Sequence, residues 1–255
     1  MGELIKRGLF GGIYVLIVVG TIVFLPALIP ALFAIFSVMC FSETTALCGY
    51  KKPPASLWIV WLGIWLSVIF PYFALYTLSL SGLASVYSLL ANKQSRKAWI
   101  KSVYVIQPFA LAVYTLQIDW ITPYFLLFVF MTIWLNDTGA YLSGKKFGKR
   151  LLAPKISPKK TWEGFVGGSI LAMLIMILPF PFFSDFETLH KLMAAGLIAI
   201  SATLGDLIQS RMKRKAGVKD SGKIMPGHGG AFDRLDSFIF ALPIALFFYI
   251  NIYHL

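Results

Sequence analysis

Apolar stretches long enough to cross a bilayer recur along the whole of this sequence, and they fix the kind of fold open to it. In hydrocarbon each backbone N–H and C=O must be satisfied within the protein, so such stretches become helices. Of the 255 residues 58% are hydrophobic and 13% charged, and the mean hydropathy is +0.77. No segment remains for a separate soluble domain of ordinary size. The expectation is an all-α, polytopic integral membrane protein forming one domain over residues 1–255, with residues 1–130 mainly transmembrane scaffold.

The first apolar block, Gly8 to Gly49, is twice the roughly 20 residues a span needs, and Pro26 and Pro30 divide it into two. Further spans are expected at Leu57–Phe70, Tyr72–Ala91, Trp99–Gln117, Ile121–Tyr141, Phe165–Phe183, Leu189–Met212 and Leu235–Tyr253, about nine in all. Phe70-Pro71 marks either a tight turn or a proline kink. The cations support this count. Lys6, Arg7, Lys51, Lys52, Lys93, Arg96, Lys97, Lys101 and clusters around residues 145–160 and 211–234 fall on one side, while Lys191 alone falls opposite. By the positive-inside rule the N-terminus is cytoplasmic and the C-terminus lies on the far face. The net charge of +12 is therefore read as topology and not as nucleic-acid binding, and Trp58, Trp61, Trp65, Trp99 and Trp120 as interface anchors and lipid-facing packing.

Cys40 and Cys48, eight helical residues apart, cannot bridge, and no zinc-ligand spacing occurs, so a metal would have to be a hard cation held by oxygen. Two basic loops are richer than topology requires. The first carries Asn136, Asp137 and Thr138 through Lys145, Lys146 and Lys149 to Lys159, Lys160, Thr161 and Glu163, with Gly139, Gly144, Gly148, Gly164, Gly167 and Gly168 interspersed. Glycines beside lysines let amides and ammonium groups approach phosphate together, although turn-forming glycines in a solvated loop would read the same. Lys159 and Lys160, just before a helix start at Thr161, lean toward phosphate.

The second loop starts within the eighth span. Asp206, Ser210 and Lys213 are spaced by four and three, which puts a carboxylate, a hydroxyl and a cation on one helical stripe. Asp233 and Asp236 stand three apart at the start of the last span, placed to project together from its first turn. Capping explains either one alone, but an ionisable Asp206 inside an apolar segment costs several kcal/mol without a partner. Asp137 poses the same question. Four carboxylates facing two cationic loops suit a metal and a polyphosphate. Glu43 is read first as a partner of Lys51 or Lys52 and second as a fifth acid of the site, and His228 as a phosphate donor or a general base.

Ser210, Lys213, Arg214, Lys219, Asp220, Gly222, Pro226, Gly227, His228, Gly229, Gly230, Asp233, Arg234, Asp236 and Ser237 stand in a spacing that resembles the signature of the phosphatidate cytidylyltransferase (CDP-diacylglycerol synthase) family. Asp137-Thr138-Gly139-Ala140-Tyr141 and Ser157 to Gly164 resemble its second stretch, so residues 131–240 carry the motifs. Lysine at Lys145, where that family often has arginine, keeps the charge but loses a bidentate fork. The resemblance implies transfer of CMP from CTP to phosphatidic acid, with magnesium, a monovalent cation such as potassium as a second candidate, a homodimer, and a bacterial inner-membrane location. It implies Asp206, Asp233 and Asp220 as metal ligands, and Lys213, Arg214, Lys219, Arg234 and Lys160 as phosphate contacts. Ser210, Asp236, Asp137, His228, Gly229 and Gly230 would complete the site.

A transporter or channel is the competing reading from another class, since intramembrane carboxylates also line ion pathways. Its groups should, however, lie near the midplane, and here they cluster toward one face. A CTP-dependent enzyme acting on another lipid phosphate, or an inactive homologue, would keep the same motifs.

Overall fold

Proline sets the first break. Helix α1, Glu3–Phe24, stops before Pro26, a single 3₁₀ turn covers Pro26–Leu28, and α2, Ile29–Ala46, begins with Pro30 in its first turn, where a missing N–H costs nothing. The computed structural model describes residues 3–70, 87, 92–119, 121–183, 187–222 and 229–253. Within these, α3 spans Ala55–Ile69, α4 Lys93–Tyr114, α5 Tyr124–Phe147, α6 Trp162–Met176, α7 Thr188–Lys215 and α8 Asp236–Tyr253. Each expected span thus meets a helix, apart from Tyr72–Ala91, which except for Tyr87 lies outside the described residues together with Pro71 and Trp120. Among the described residues, four stretches, Pro26–Ala46, Lys93–Gln117, Tyr124–Phe147 and Thr188–Lys215, are long and apolar enough to cross a membrane. The architecture is that of an α-helical membrane protein.

Contacts divide the chain into two compact bodies. The first comprises Met1–Thr122 and Ala216–Arg234. Here α2 packs on α4 and α4 on α3, around fully buried Phe33, Phe41, Ile106 and Phe109. Asn92 caps α4 by accepting from Ser95 N at 2.8 Å. The tryptophans on α3 are not all lipid-facing. Trp61 and Trp65 both donate their indole N–H to Ser37 Oγ on α2, at 3.0 and 3.2 Å, and Trp65 is buried. An indole N–H needs an acceptor, and in this apolar setting a serine on the neighbouring helix supplies it.

The second body comprises Pro123–Lys215 and Leu235–Leu255. Its main contacts are α5 on α6 and α7 on α8, and the rings of Phe130 and Phe238 stack at 4.5 Å. Two sequence expectations need correction. Helix α5 does not end at Tyr141 but continues to Phe147, so Asp137 to Tyr141 are helical; Lys145 and Lys146 then occupy the last turn, where cations favour a helix end. The segment beyond is not wholly loop either. Leu151–Ala153 (β1) and Ser157–Thr161 (β2) pair antiparallel, with Leu151 opposite Thr161. This hairpin departs locally from the all-α expectation.

The glycines of the first motif are used in packing. A Cβ on Gly168 would meet Asn136 O and Ala140 N, one on Gly139 would meet Gly168 Cα at 2.9 Å, and one on Gly164 would meet Ala140 O at 2.8 Å. They let α5 and α6 touch backbone to backbone, the small-residue approach that membrane helices use. At these three positions glycine is required for close helix contact.

Candidate active site

In the second body the site is built where β2, α7 and α8 meet. Thr161 ends β2 and caps α6, its hydroxyl accepting from Gly164 N at 3.1 Å, which confirms the helix start expected there. The residue before it, Lys160, extends its ammonium to Asp206 Oδ2 on α7 at 2.5 Å. One turn further along α7, Ser210 Oγ donates to Asp206 Oδ1 at 3.0 Å, as the spacing of four requires. Lys213, only 7% exposed, completes the stripe within Coulombic reach of Asp206.

Asp236 is the first residue of α8, and Ser237 N donates to its Oδ1 at 2.8 Å. Its carboxylate lies in the field of Asp206, Lys213 and Asp137. Gly205 explains the proximity: a Cβ there would stand 2.9 Å from Asp236 O and 2.8 Å from Phe240 Cβ, so only glycine lets α8 come this close beside Asp206. Gln209 Nε2 also donates to Asp236 O at 3.0 Å. Three carboxylates and two ammonium groups therefore share one locality. Arg214 is exposed at the end of α7.

The hairpin that delivers Lys160 is pinned separately. Glu163 in the first turn of α6 accepts from Lys149 N at 3.0 Å and from Arg150 N at 3.2 Å, and Trp162 N donates to Arg150 O at 2.9 Å. These N–H donors, that of Lys149 foremost, hold the Glu163 carboxyl below the ordinary glutamate range.

In the first body the Gly-rich segment folds around a different pair of acids. Asp233 does not share a helical turn with Asp236, because α8 begins only at Asp236 and Asp233 belongs to the turn before it. Its Oδ2 accepts from Ser221 N at 2.8 Å, Gly230 N at 2.9 Å and Ser221 Oγ at 2.9 Å. Gly229, at a φ of +84°, makes the left-handed bend that wraps the chain around this carboxylate, close to Asp220. Lys219, Asp220 and Arg234 are exposed beside it, and His228 falls outside the described residues.

Glu43 departs from the first of its two expected roles. It does not pair with Lys51 or Lys52 in the described contacts: it is 6% exposed and accepts from Ala231 N, Phe232 N and Ser221 Oγ at 3.0, 3.0 and 2.6 Å. A Cβ on Gly222 or Gly230 would collide with its carboxylate, so both glycines make room for it. The amides of Gly230, Ala231 and Phe232 are thus turned toward the chain's own carboxylates. The available signal was an acid inside an apolar span, which demands partners; Ser221 carried none.

Among the described residues no three His, Cys, Asp or Glu side chains are grouped closely enough to hold a metal ion unaided. Magnesium is ordinarily bound by one or two carboxylates, with water and substrate phosphates completing the octahedron, and hard oxygen donors such as Asp206 and Asp236 fit that chemistry.

Residues 5–252 match the cytidylyltransferase family, almost the entire chain. The chain belongs to the cytidylyltransferase family. Among its curated relatives, a phosphatidate cytidylyltransferase of Haemophilus influenzae is 39% identical over 181 residues, covering 63% of this chain and 62% of the relative. Those of Staphylococcus haemolyticus and Staphylococcus saprophyticus are 48% and 50% identical over 123 residues, 48% of this chain and 47% of each relative. The chain therefore spans about half to three-fifths of the length of these relatives. Within this cytidylyltransferase-family chain, both acid clusters contain residues of the motifs read from sequence.

Proposed function

We propose that this chain is a CTP:phosphatidate cytidylyltransferase, transferring CMP from CTP to phosphatidic acid to give CDP-diacylglycerol and pyrophosphate. The observation that carries it is the Lys160, Asp206, Ser210, Lys213 and Asp236 cluster, in a chain of the cytidylyltransferase family whose relatives are named phosphatidate cytidylyltransferase. The chemistry needs no protein nucleophile. A phosphate oxygen of phosphatidate attacks the α-phosphorus of CTP, a new P–O bond forms, the bond to the bridging oxygen of the β-phosphate breaks, and pyrophosphate leaves with that electron pair. The protein has to align three anionic groups and offset the negative charge that develops.

Lys160 and Lys213, joined by Arg214, Lys219 and Arg234, supply the positive charge that holds phosphates, and His228 donates a hydrogen bond to one of them. Ser210 orients Asp206 by donating to one oxygen. Lys160 is able to exchange its carboxylate partner for a substrate phosphate. Asp206 would hold magnesium together with substrate phosphate oxygens, and Asp220 and Asp233, the other acids the resemblance implies for the metal, would act from the Gly-rich turn; support for Asp206 is that Oδ2 already pairs with a cation. Bound magnesium would withdraw charge from the phosphate oxygens. Asp236 and Asp137 set the field around Lys213. Potassium as a second ion and a homodimer complete the reading.

We place the chain in a bacterial inner membrane with about nine spans, as one domain, its N-terminus and site cytoplasmic and its C-terminus opposite. Support comes from the one-sided distribution of Lys and Arg. The test is purified protein in detergent supplied with CTP and one of several lipid phosphates, with and without magnesium. Magnesium-dependent CDP-diacylglycerol from phosphatidic acid is expected. Product only from another lipid phosphate would change the acceptor, and none from folded protein would defeat the reading.

A further inference from the structure

Glu43 and Ser221 belong to no motif, yet they anchor the turn that carries four motif residues, Gly229, Gly230, Asp233 and Arg234. Glu43 lies in the last turn of α2, nearly sealed from solvent, in a helix otherwise composed of apolar and hydroxyl side chains. A buried carboxylate survives there only if its oxygens are fully engaged. They are: Oε1 accepts from Ala231 N, and Oε2 from Phe232 N and Ser221 Oγ. Consecutive amides converging on one anion form the kind of concavity that elsewhere binds phosphate. Here the occupant is internal.

Ser221 connects this anchor to Asp233. Its hydroxyl oxygen stands 2.6 Å from Glu43 Oε2 and 2.9 Å from Asp233 Oδ2, while its backbone N–H also donates to Asp233 Oδ2. A hydroxyl has one proton, so it serves the two carboxylates in alternation or by sharing. Either way the two acids cannot shift independently. Gly222 and Gly230 admit Glu43, and Gly229 bends the chain round Asp233, so this segment's composition is fitted to two carboxylates and one hydroxyl.

We propose that Glu43 and Ser221 are positioning residues for the transfer reaction, fixing the Asp233 carboxylate and the Gly229–Arg234 turn in the orientation from which Asp233 and Arg234 act. The kinetic part rests on the cytidylyltransferase reading above; the anchoring part does not. A glutamine at position 43 would offer one acceptor and one amino group, so at least one of Ala231 N, Phe232 N and Ser221 Oγ would lose its acceptor. Alanine at 221 would remove the link while leaving both acids in place, and threonine would restore the hydroxyl.

The experiment compares wild type with Glu43→Gln, Ser221→Ala and Ser221→Thr. Turnover and KM for CTP and lipid are measured alongside backbone hydrogen exchange of peptides covering residues 229–235. For Ser221→Ala the expectation is a loss of about 10-fold in kcat, consistent with the removal of one charge-assisted hydrogen bond, with KM for the lipid unchanged. Exchange in 229–235 should rise while that in α5 and α6 stays at wild-type level. Ser221→Thr should recover most of the turnover, and Glu43→Gln should match or exceed the loss in Ser221→Ala. Wild-type turnover and exchange in Ser221→Ala would overturn the proposal, as would a loss that Ser221→Thr does not repair. If Glu43→Gln fails to accumulate in membranes, the Ser221 pair decides. If wild type makes no CDP-lipid, the activity reading fails alone, and the exchange data still decide whether these residues hold the turn.

Discussion

Lys160 at the end of a short strand and Asp206 within a long apolar helix form an ion pair at 2.5 Å, and Ser210 takes the remaining oxygen of the same carboxylate. The pair explains how an acid is tolerated in that helix: its charge is matched and both oxygens are bonded. It also makes the two residues one functional unit. Replacing Asp206 with Asn is expected to lower kcat by about 10²-fold or more, the scale on which loss of one well-placed charged group acts. Lys160→Ala should cost a comparable amount, and the double variant much less than the product of the two. Full additivity in that cycle, measured on membranes with matched protein content, would show that the residues work separately.

Much of the scaffold was legible because it rests on span length and on charge between spans. The helix break at Pro26, the start of α6 after Thr161 and the Asp206-Ser210 contact all follow from local rules. What local rules miss is pairing over long sequence distance. Nothing near Glu43 in the sequence names Ser221 or Phe232, so the nearer Lys51 and Lys52 look like its partners. The spacing of Asp233 and Asp236 suggests a shared helical turn, but Asp233 is taken up by Ser221 and Gly230 before the helix begins. Gly139, Gly164 and Gly168 show the same limit: that a glycine is needed for helix contact is not visible until its neighbour is known.

That helix contact is itself testable. A side chain at Gly168 would press on Asn136 O and the backbone of Ala140, which cannot swing aside as a flexible side-chain end can. Gly168→Val should therefore destabilise by about 1–3 kcal/mol through overpacking, lowering the thermal midpoint in detergent by several degrees. Gly12→Ala, where a Cβ meets nothing within 4 Å, is the control and should leave the midpoint within about 1 °C. Equal midpoints for both variants would remove the close-packing account of the α5–α6 contact.

The hairpin anchor predicts a pH dependence with a definite sign. Glu163 is held below the ordinary glutamate value by the N–H groups of Lys149 and Arg150, so it binds its proton less readily folded than unfolded. The stabilisation it gives is present above that value and is lost as pH falls through the lower folded value. Exchange protection at Lys149 and Arg150, corrected for intrinsic rates, should stay level from neutral pH down to the ordinary glutamate range and decline only below it. In Glu163→Gln the decline should vanish and protection should be lower throughout. Loss of protection well above the ordinary range in the wild type would contradict the carboxylate anchor.

The central claim is cytidylyl transfer to a lipid phosphate, and the most direct measurement follows which phosphorus of CTP enters the lipid. Protein reconstituted with phosphatidic acid is given CTP labelled at either the α- or the γ-phosphorus, and lipid and aqueous products are separated. The account predicts that α-label enters the lipid fraction as CDP-diacylglycerol while γ-label appears only in pyrophosphate, with both signals lost in Asp206→Ala. Transfer of γ-label to the lipid, or hydrolysis of CTP with no label in the lipid, would contradict it.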